Sequence, residues 1–425
     1  MFDFKWWVLS WYRYKYRISR ETYSYIIQIR IYITVIKGKG NVMPHCNKKM
    51  LSFFLTTKCN LCCVYCYNAK ERNSIQEQTI SLKVARAAVD WYFENNSSRH
   101  IRFYGPGEPT QEYYKMKKIT QYAKNHPNRG NDVTVELQTN GVFTKEVRNW
   151  LLNNANIVWM SFDGMKDIQN KNRPLNPKYN HVFEGKSSAD VLEDNVRWLI
   201  EHGKDKKLMI GARVTINNIN CNKQIEMVDY FYDLGIRYVW TDPLFYSVGK
   251  KPVCDDPIKQ SHFSFDMKEY VNNYVKAYNY ANKKGLFWGS FLTINFDGES
   301  AFHCRCCHPL SAPHITPDGY ISACDMVVLG EKAFHMSPFI VGKWNECENK
   351  FDWFSDKIRK LNNRSSLNMS HCKDCIAKLH CGGYCLGEIV NETGKLDGYD
   401  NVKCTAIRYL LKELGLCQPY NYLHP

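Results

Sequence analysis

The chain has 425 residues, 44% of them hydrophobic, and a formal net charge of +15. This length exceeds one average domain, so roughly two or three globular units with a sizeable core are expected. No run of about 18 uninterrupted apolar residues occurs, so the sequence predicts no membrane-spanning helix. The lysines are scattered and no nucleic-acid-binding motif accompanies them. We therefore expect a basic, solvated surface or an acidic peptide partner rather than nucleic acid.

Residues 1–42 differ from the rest of the chain because aromatic and basic side chains alternate there. In residues 25–36, side chains alternate with the two-residue period of a β-strand. Three interpretations stay open: a peptide-binding or sheet-extending arm, an interfacial membrane segment, or translated sequence upstream of a native start at Met43. The third arises because residues 37–40 are what a purine-rich ribosome-binding site would encode.

From residue 51 onward, short apolar runs alternate with amphipathic ones. The predicted strands span residues 51–55, 101–104, 133–137, 157–162, 210–216 and 236–241. The helices predicted between them span residues 81–95, 113–123, 191–202 and 224–234, with one more that follows a cap at Thr144. Such a βα series predicts parallel strands with helices outside, and ligands at the carboxyl ends of the strands.

The cysteines of the chain point to metal chemistry. There are eighteen cysteines, several of them in Cys-x2-Cys spacing, and the chain has no convincing signal peptide. This pattern favours metal or iron–sulfur ligation over disulfides. We therefore expect a reducing, anaerobic cytoplasm.

The first predicted strand leads directly into a Cys-x3-Cys-x2-Cys motif formed by Cys59, Cys63 and Cys66. Three thiolates so close in sequence can hold three irons of a 4Fe–4S cube and leave the fourth iron open. A zinc knuckle is the alternative, with Cys62 as its fourth ligand. The motif strongly resembles that of the radical S-adenosylmethionine (SAM) superfamily. The resemblance implies an α/β fold, a partial (β/α)6 TIM-like barrel, which agrees with the predicted βα series.

A glycine-rich segment after the second strand, residues 105–109, is similar to the family's Gly-Gly-Glu-Pro segment. The resemblance implies that Gly107 and Glu108 receive the amino group of SAM. Glycine permits close approach of a ligand to the backbone, and a carboxylate accepts from an ammonium. Pro106 replaces a glycine of the family pattern, which leaves the register of the segment open.

Further SAM contacts are implied by the resemblance. Ser161 and Asp163 end the fourth strand, where Asp-Gly also forms ordinary turns. Arg213 in the fifth strand would face the SAM carboxylate or form a salt bridge. Tyr65 would lie against the adenine, with Tyr67 as a competitor.

A second cysteine series occupies the C-terminal third, at positions 304, 306, 307, 324, 372, 375, 381, 385 and 404. The series resembles the SPASM domain, an auxiliary-cluster domain of radical SAM peptide-modifying enzymes; paired zinc ribbons are the alternative. The resemblance implies a distal 4Fe–4S cluster on Cys372, Cys375, Cys381 and Cys404. It implies a proximal cluster on Cys385, Cys324 and two of Cys304, Cys306 and Cys307. We expect a barrel at residues 43–285 and a small cysteine-rich α+β domain at residues 286–425.

The resemblance also implies a reaction. A reduced cluster cleaves SAM to a 5′-deoxyadenosyl radical, which takes hydrogen from a peptide or protein side chain, with a flavodoxin- or ferredoxin-type electron donor. Asp325 resembles the general base of anaerobic sulfatase-maturating enzymes, and burial is expected to raise its pKa; an ordinary solvated carboxylate is the alternative. Ribosomal-peptide maturation is the first hypothesis, sulfatase maturation the second, and a non-catalytic zinc or nucleic-acid-binding protein the third.

Overall fold

The computed structural model of the chain describes residues 49–66, 76–130, 132–244, 266–290, 292 and 307–414. All of these residues belong to one compact unit, residues 47–424. The predictions for residues 1–42, Tyr67, Cys304 and Cys306 concern positions outside the described residues.

The described residues form an eleven-stranded sheet. In chain order, strands β1 to β11 are Leu51–Phe54, His100–Tyr104, Thr134–Thr139, Ile157–Ser161, Met209–Ile216, Tyr238–Pro243, Phe287–Ser290, His314–Ile315, Tyr320–Ser322, Ile340–Asn345 and Lys350–Trp353. Their order in the sheet is β11-β10-β9-β8-β1-β2-β3-β4-β5-β6-β7. Strands β1 to β7 are parallel neighbours. The six predicted parallel strands are confirmed, and β7 adds a seventh that the sequence did not reveal.

Helices connect the parallel strands. In chain order, α1 to α11 are Leu82–Asn95, Tyr113–Asn125, Lys145–Asn154, Lys166–Asn172, Ser188–His202, Gln224–Asp233, Met267–Lys284, Ser355–Asn363, Lys378–Cys381, Leu386–Thr393 and Asn401–Glu413. The five predicted helices are α1, α2, α3, α5 and α6. Ser81 caps α1 by accepting from the backbone N–H of Lys83. Thr144 precedes α3 as expected, but its side chain makes no cap hydrogen bond.

Alternation along β5 explains how the sheet forms two different faces. Ile210, Ala212 and Val214 are buried in the apolar core, whereas Arg213 and Thr215 are only half-buried. A fully buried large apolar side chain stabilises a fold by about 1.5–3 kcal/mol. The apolar face therefore holds the helices against the sheet, while the other face carries polar groups.

The C-terminal residues continue the same sheet beyond β1. Strand β8 pairs in parallel with β1, and β9, β10 and β11 follow as antiparallel neighbours. Helices α8 to α11 complete this α+β region. The boundary between residues 285 and 286 stays a prediction; β7, just beyond it, is still a parallel neighbour of β6. Among the helices of the described residues, none is both long and apolar enough to cross a bilayer.

Candidate active site

The Cys59–Cys66 loop follows β1 and is held by backbone hydrogen bonds to the segment after α4. The N–H of Cys62 donates to the carbonyl of Pro174, and the N–H of Val64 donates to that of Asn172, both at 2.9 Å. An isolated antiparallel bridge between Leu61 and Leu175 continues this pairing on the side of the loop nearer to β1. This short ladder fixes the backbone of the loop at the carboxyl end of β1.

The three thiols of the motif share one environment. Cys59, Cys63 and Cys66 are half-buried, whereas Cys62 is exposed. The side-chain amide of Asn140 lies 3.9 Å from the Cys59 sulfur, and a guanidinium nitrogen of Arg173 lies 4.0 Å from the Cys63 sulfur. Among the described residues, no three His, Cys, Asp or Glu side chains are grouped to hold a metal ion as they stand. The fit to a 4Fe–4S cluster rests on the shared loop, the partial burial and the N–H donors aimed at sulfur.

Charge balance at Cys63 depends on Arg173. Burial raises the pKa of the Cys63 thiol, and the nearby Arg173 guanidinium lowers it. A bound iron ion would favour the deprotonated form of Cys63, as the Arg173 cation does.

Asp163 is completely buried and connects several elements of the site. One carboxylate oxygen accepts from the Tyr65 hydroxyl, from the Asn172 amide at 3.1 Å and from the Arg173 guanidinium at 3.1 Å. The other accepts from the backbone N–H of Thr215 at 3.0 Å. Asp163 thus joins the cysteine loop to the end of α4 and to β5. The predicted contacts of Asp163 and Tyr65 with SAM stay predictions.

The glycine-rich segment lies directly against the backbone that leads into the cysteine loop. The N–H of Gly107 donates to Thr56 at 3.1 Å, and the N–H of Glu108 donates to Lys58 at 2.7 Å. A Cβ added at Gly107 would stand 2.2 Å from the Lys58 carbonyl oxygen. Glycine is therefore required by this strand-to-loop contact.

The Glu108 carboxylate is buried among donors of the protein itself. It accepts from the hydroxyl of Thr139 at 2.7 Å, from the backbone N–H of Asn140 at 2.7 Å, and from the N–H and hydroxyl of Thr110. Burial raises the pKa of Glu108 and these hydrogen bonds lower it, with a net rise. Ser161 at the end of β4 is half-buried, and its hydroxyl makes no hydrogen bond within the described residues. SAM binding by Glu108, Gly107 and Ser161 stays a prediction.

Arg213 lies beside Ser161 in register but points its charge at β6. Its guanidinium donates to Asp242 at 2.7 Å, and the Trp240 indole donates to the other oxygen of Asp242 at 2.9 Å. Burial raises the pKa of Asp242, against the lowering by Arg213. The structure thus contains the salt bridge that the sequence left as an alternative.

Asp325 lies in a triad that the sequence did not reveal. Its carboxylate is 2.9 Å from the guanidinium of Arg102 and 2.9 Å from the imidazole of His314. Burial is the largest single influence and would raise the pKa of Asp325. The charges and hydrogen bonds of Arg102 and His314 together outweigh it, so the net direction is down. The expected rise in pKa is therefore wrong. The carboxylate is held as an anion by two partners, which makes it a weak base; its catalytic role stays a prediction.

Four cysteines near the C-terminus line one cavity of about 500 Å³, a volume that includes the solvent at its mouth. They are Cys372, Cys375, Cys381 and Cys404. Burial raises the pKa of the Cys381 thiol to about 12, while the backbone N–H groups of Gly383 and Tyr384 act in the opposite direction. Four thiols around one cavity, with N–H donors at sulfur, fit the distal 4Fe–4S cluster. The assignment of these ligands stays a prediction.

The proximal set is described only in part. Cys307, Cys324 and Cys385 are buried thiols. A Cβ added at Gly387 would lie only 2.5 Å from the sulfur of Cys324, so the two residues are in close contact. The structure thus brings Cys324 to the first turn of α10, the helix that begins directly after Cys385. Which cysteines complete this set stays a prediction, since two candidates lie outside the described residues.

The functional residues that sequence reasoning missed are Arg173, Arg102 and His314. Arg173 follows α4, a helix that was not predicted, and comes ten positions after Asp163. Arg102 and His314 come from strands β2 and β8, which lie on either side of β1. A charged residue inside the apolar β2 pattern was the available signal, because a buried charge requires a partner.

Comparison with known proteins defines the class. Residues 53–221 match the model of the Radical SAM superfamily, so the chain contains a radical SAM domain. It is 29% identical over 293 residues to the cysteine-type anaerobic sulfatase-maturating enzyme of Clostridium perfringens, covering 64% of this chain and 72% of that protein. It is 27% identical over 198 residues to an uncharacterised protein of Methanocaldococcus jannaschii, covering 46% of this chain. The chain spans 63% of the length of that relative.

Solved structures share the fold. The structure of native anSMEcpe with bound AdoMet has a TM-score of 0.66 and 17% identity, with 86% of this chain and 97% of that chain covered. Streptococcus suis SuiB bound to the precursor peptide SuiA has a TM-score of 0.58 and 15% identity, with 90% and 81% covered. At these identities the likeness shows a common fold, which in this chain is a parallel-stranded α/β sheet with a cysteine-rich C-terminal region.

Proposed function

We propose that the protein is a radical SAM enzyme that oxidatively modifies a side chain of a peptide or protein. The observation that carries the proposal is the Cys59–Cys66 loop, held at the carboxyl end of β1 inside a radical SAM domain. When bound, the cluster and SAM supply a 5′-deoxyadenosyl radical that takes hydrogen from an unactivated carbon. The barrel residues position SAM and the substrate and exclude water.

Several groups would hold the cofactors. Cys59, Cys63 and Cys66 would hold the SAM-binding cluster. Gly107, Glu108, Ser161 and their neighbours would contact SAM, and the C-terminal cysteines would hold two auxiliary clusters that accept the substrate's electron. A flavodoxin- or ferredoxin-type donor would deliver the first electron, in a reducing cytoplasm where thiolates stay unoxidised.

A peptide substrate is supported by what the neighbours bind. Both anSMEcpe and SuiB have been solved with peptides, the Cp18Cys peptide and the precursor peptide SuiA. Within this chain, Asp325 is paired with Arg102 and His314. A carboxylate fixed in this way is poorly suited to remove a proton from a substrate thiol. This favours peptide maturation over formylglycine formation.

Sulfatase maturation is the second candidate. It is favoured by the likeness to the Clostridium perfringens enzyme and by the Cys324–Asp325 pair. The two candidates differ in the need for a base. If Asp325→Asn abolished oxidation of a cysteine in a sulfatase-derived peptide while SAM cleavage continued, formylglycine generation would replace peptide maturation as the proposal.

The proposal is tested by anaerobic reconstitution with iron and sulfide. We expect a broad iron–sulfur absorbance and, with SAM and dithionite, formation of 5′-deoxyadenosine. Replacement of Cys59, Cys63 and Cys66 by Ala should abolish this cleavage, whereas Cys62→Ala, at the exposed neighbour, should retain it. Zinc in place of iron, or cleavage that survives the triple replacement, would overturn the proposal.

A further inference from the structure

Arg173 places a buried positive charge against the cysteine loop. Its side chain is only 12% exposed. One guanidinium nitrogen points to the Cys63 sulfur at 4.0 Å, and another donates to the Thr215 hydroxyl at 3.2 Å. The third donates to Asp163 at 3.1 Å, and the guanidinium lies 5.2 Å from the centre of the Tyr65 ring. All three nitrogens thus have a partner, and the cation contacts the loop at two of its residues.

The orientation of this guanidinium is fixed by its surroundings. Asp163 has no exposed surface and is itself held by the backbone N–H of Thr215 at 3.0 Å and by the Asn172 amide at 3.1 Å. The backbone on either side of Arg173 is bonded to the loop through Asn172 and Pro174. A planar guanidinium with several fixed partners cannot turn away from Cys63 without breaking them.

We propose that Arg173 is a positioning residue that tunes the SAM-binding cluster, by directing a charged N–H donor at the Cys63 thiolate. The inference rests on the proposed function, since it presumes a cluster on this loop. Hydrogen bonds to the cluster sulfurs and nearby charge set the reduction potential of an iron–sulfur cluster. A fixed cation stabilises the reduced cluster more than the oxidised one, because the reduced cluster carries one more negative charge.

Arg173 therefore makes the cluster easier to reduce. Removal of the cation should shift the midpoint potential to a more negative value. A tenfold change in the equilibrium constant for reduction corresponds to about 59 mV for one electron. We expect at least a tenfold change for Arg173→Met, and a smaller one for Arg173→Lys, which keeps the charge but loses the fork of donors.

The experiment measures the midpoint potential of the reconstituted full chain by a mediated titration followed by electron paramagnetic resonance. The auxiliary cysteines Cys372 and Cys324 are replaced by Ala in every sample, so that the loop cluster is observed without overlap. A second variant combines Arg173→Met with Asp163→Asn, so that no carboxylate stays buried without its cation. Its reference is Asp163→Asn alone, because loss of this anion by itself shifts the potential to a more positive value. The matched control is Arg148→Met, since Arg148 is another buried arginine with a carboxylate partner, Asp194 at 3.2 Å.

Iron content and the melting temperature of the metal-free chain are recorded for each variant. A more negative potential in an Arg173 variant with full iron content, with no shift in Arg148→Met, supports the proposal. A wild-type potential in fully loaded Arg173→Met overturns it, and so does a double variant whose potential equals that of Asp163→Asn alone. Loss of the cluster from both variants also overturns it, because Arg173 would then only hold the loop together. If the parent chain itself takes up no cluster, the proposed function fails instead.

Discussion

Glu136 illustrates how single buried charges are balanced in this barrel. Its carboxylate lies 2.9 Å from the imidazole of His100, and both side chains are almost fully buried. Burial would raise the pKa of Glu136, but the hydrogen bond from His100 and the charges of Arg102 and Arg213 lower it overall. A carboxyl with a lowered pKa stabilises the fold above the pKa of the unfolded chain, which is about 4.3 for Glu.

Glu136→Gln should therefore destabilise the protein at neutral pH but much less in acid. We expect a loss of about 1–2 kcal/mol at pH near 7, since a charged acceptor is lost and a neutral one remains. The difference should shrink as the pH falls below about 4.3 and through the lowered pKa of the folded state. Melting curves across this range check it. Glu146→Gln is the control because Glu146 is 71% exposed. A difference that grows in acid would contradict the pairing.

At the scale of elements, the contact between the glycine-rich segment and the entry to the cysteine loop allows little change. Gly107→Ala would place a methyl group 2.2 Å from the Lys58 carbonyl and 2.6 Å from that of Thr56. We expect the segment to move away from β1, with a lower melting temperature and loss of SAM binding measured by calorimetry on the reconstituted protein. Gly185→Ala is the control: it is strained by its φ of +74° but meets no atom within 4 Å. Equal effects of the two substitutions would rule out the steric explanation.

Helices α10 and α11 are joined by one buried lysine. Lys403 pairs with Glu388, with Glu392 at 2.7 Å and with Asp400 at 3.4 Å. Lys403→Met would leave Glu388 buried without its cation, which costs about 3–5 kcal/mol when one partner of a buried pair is removed. A fall in melting temperature of the metal-free chain would confirm this. Lys412→Met, at an exposed position of α11, should change nothing; similar melting of both variants would argue against the pair.

Features of the site that depend on residues close together in the sequence could be predicted, and those that depend on distant residues could not. Strands β1 to β6 and the five predicted helices follow from local periodicity, and the Cys59, Cys63 and Cys66 motif from spacing alone; helix α4 did not. Arg173 becomes part of the site only because its segment pairs with the cysteine loop, more than a hundred residues earlier. The lowered pKa of Asp325 likewise depends on strands β2 and β8. Such tertiary partners leave no periodic signal in the sequence.

At the scale of the whole molecule, one continuous sheet joins the parallel strands of the radical SAM domain to the cysteine-rich C-terminal region. Strand β8 pairs with β1 at Ser52 and His314, and β9 continues directly toward Cys324. A backbone hydrogen-bond ladder between β1 and β8 connects the two regions. The proposed electron path from substrate to auxiliary clusters would therefore run within one sheet.

This arrangement predicts that the two kinds of cluster can be separated in function. Cys372→Ala removes a thiol from the four that line the distal cavity but leaves the Cys59–Cys66 loop unchanged. We expect less iron per chain, SAM cleavage within about twofold of the parent, and at least a tenfold loss of modified peptide, about 1.4 kcal/mol in barrier terms. Iron analysis, 5′-deoxyadenosine release and mass spectrometry of the peptide measure these three quantities. Cys347→Ala, at an exposed thiol, should match the parent in all three. Parallel loss of cleavage and product in Cys372→Ala would mean that the distal site supports the fold rather than electron transfer.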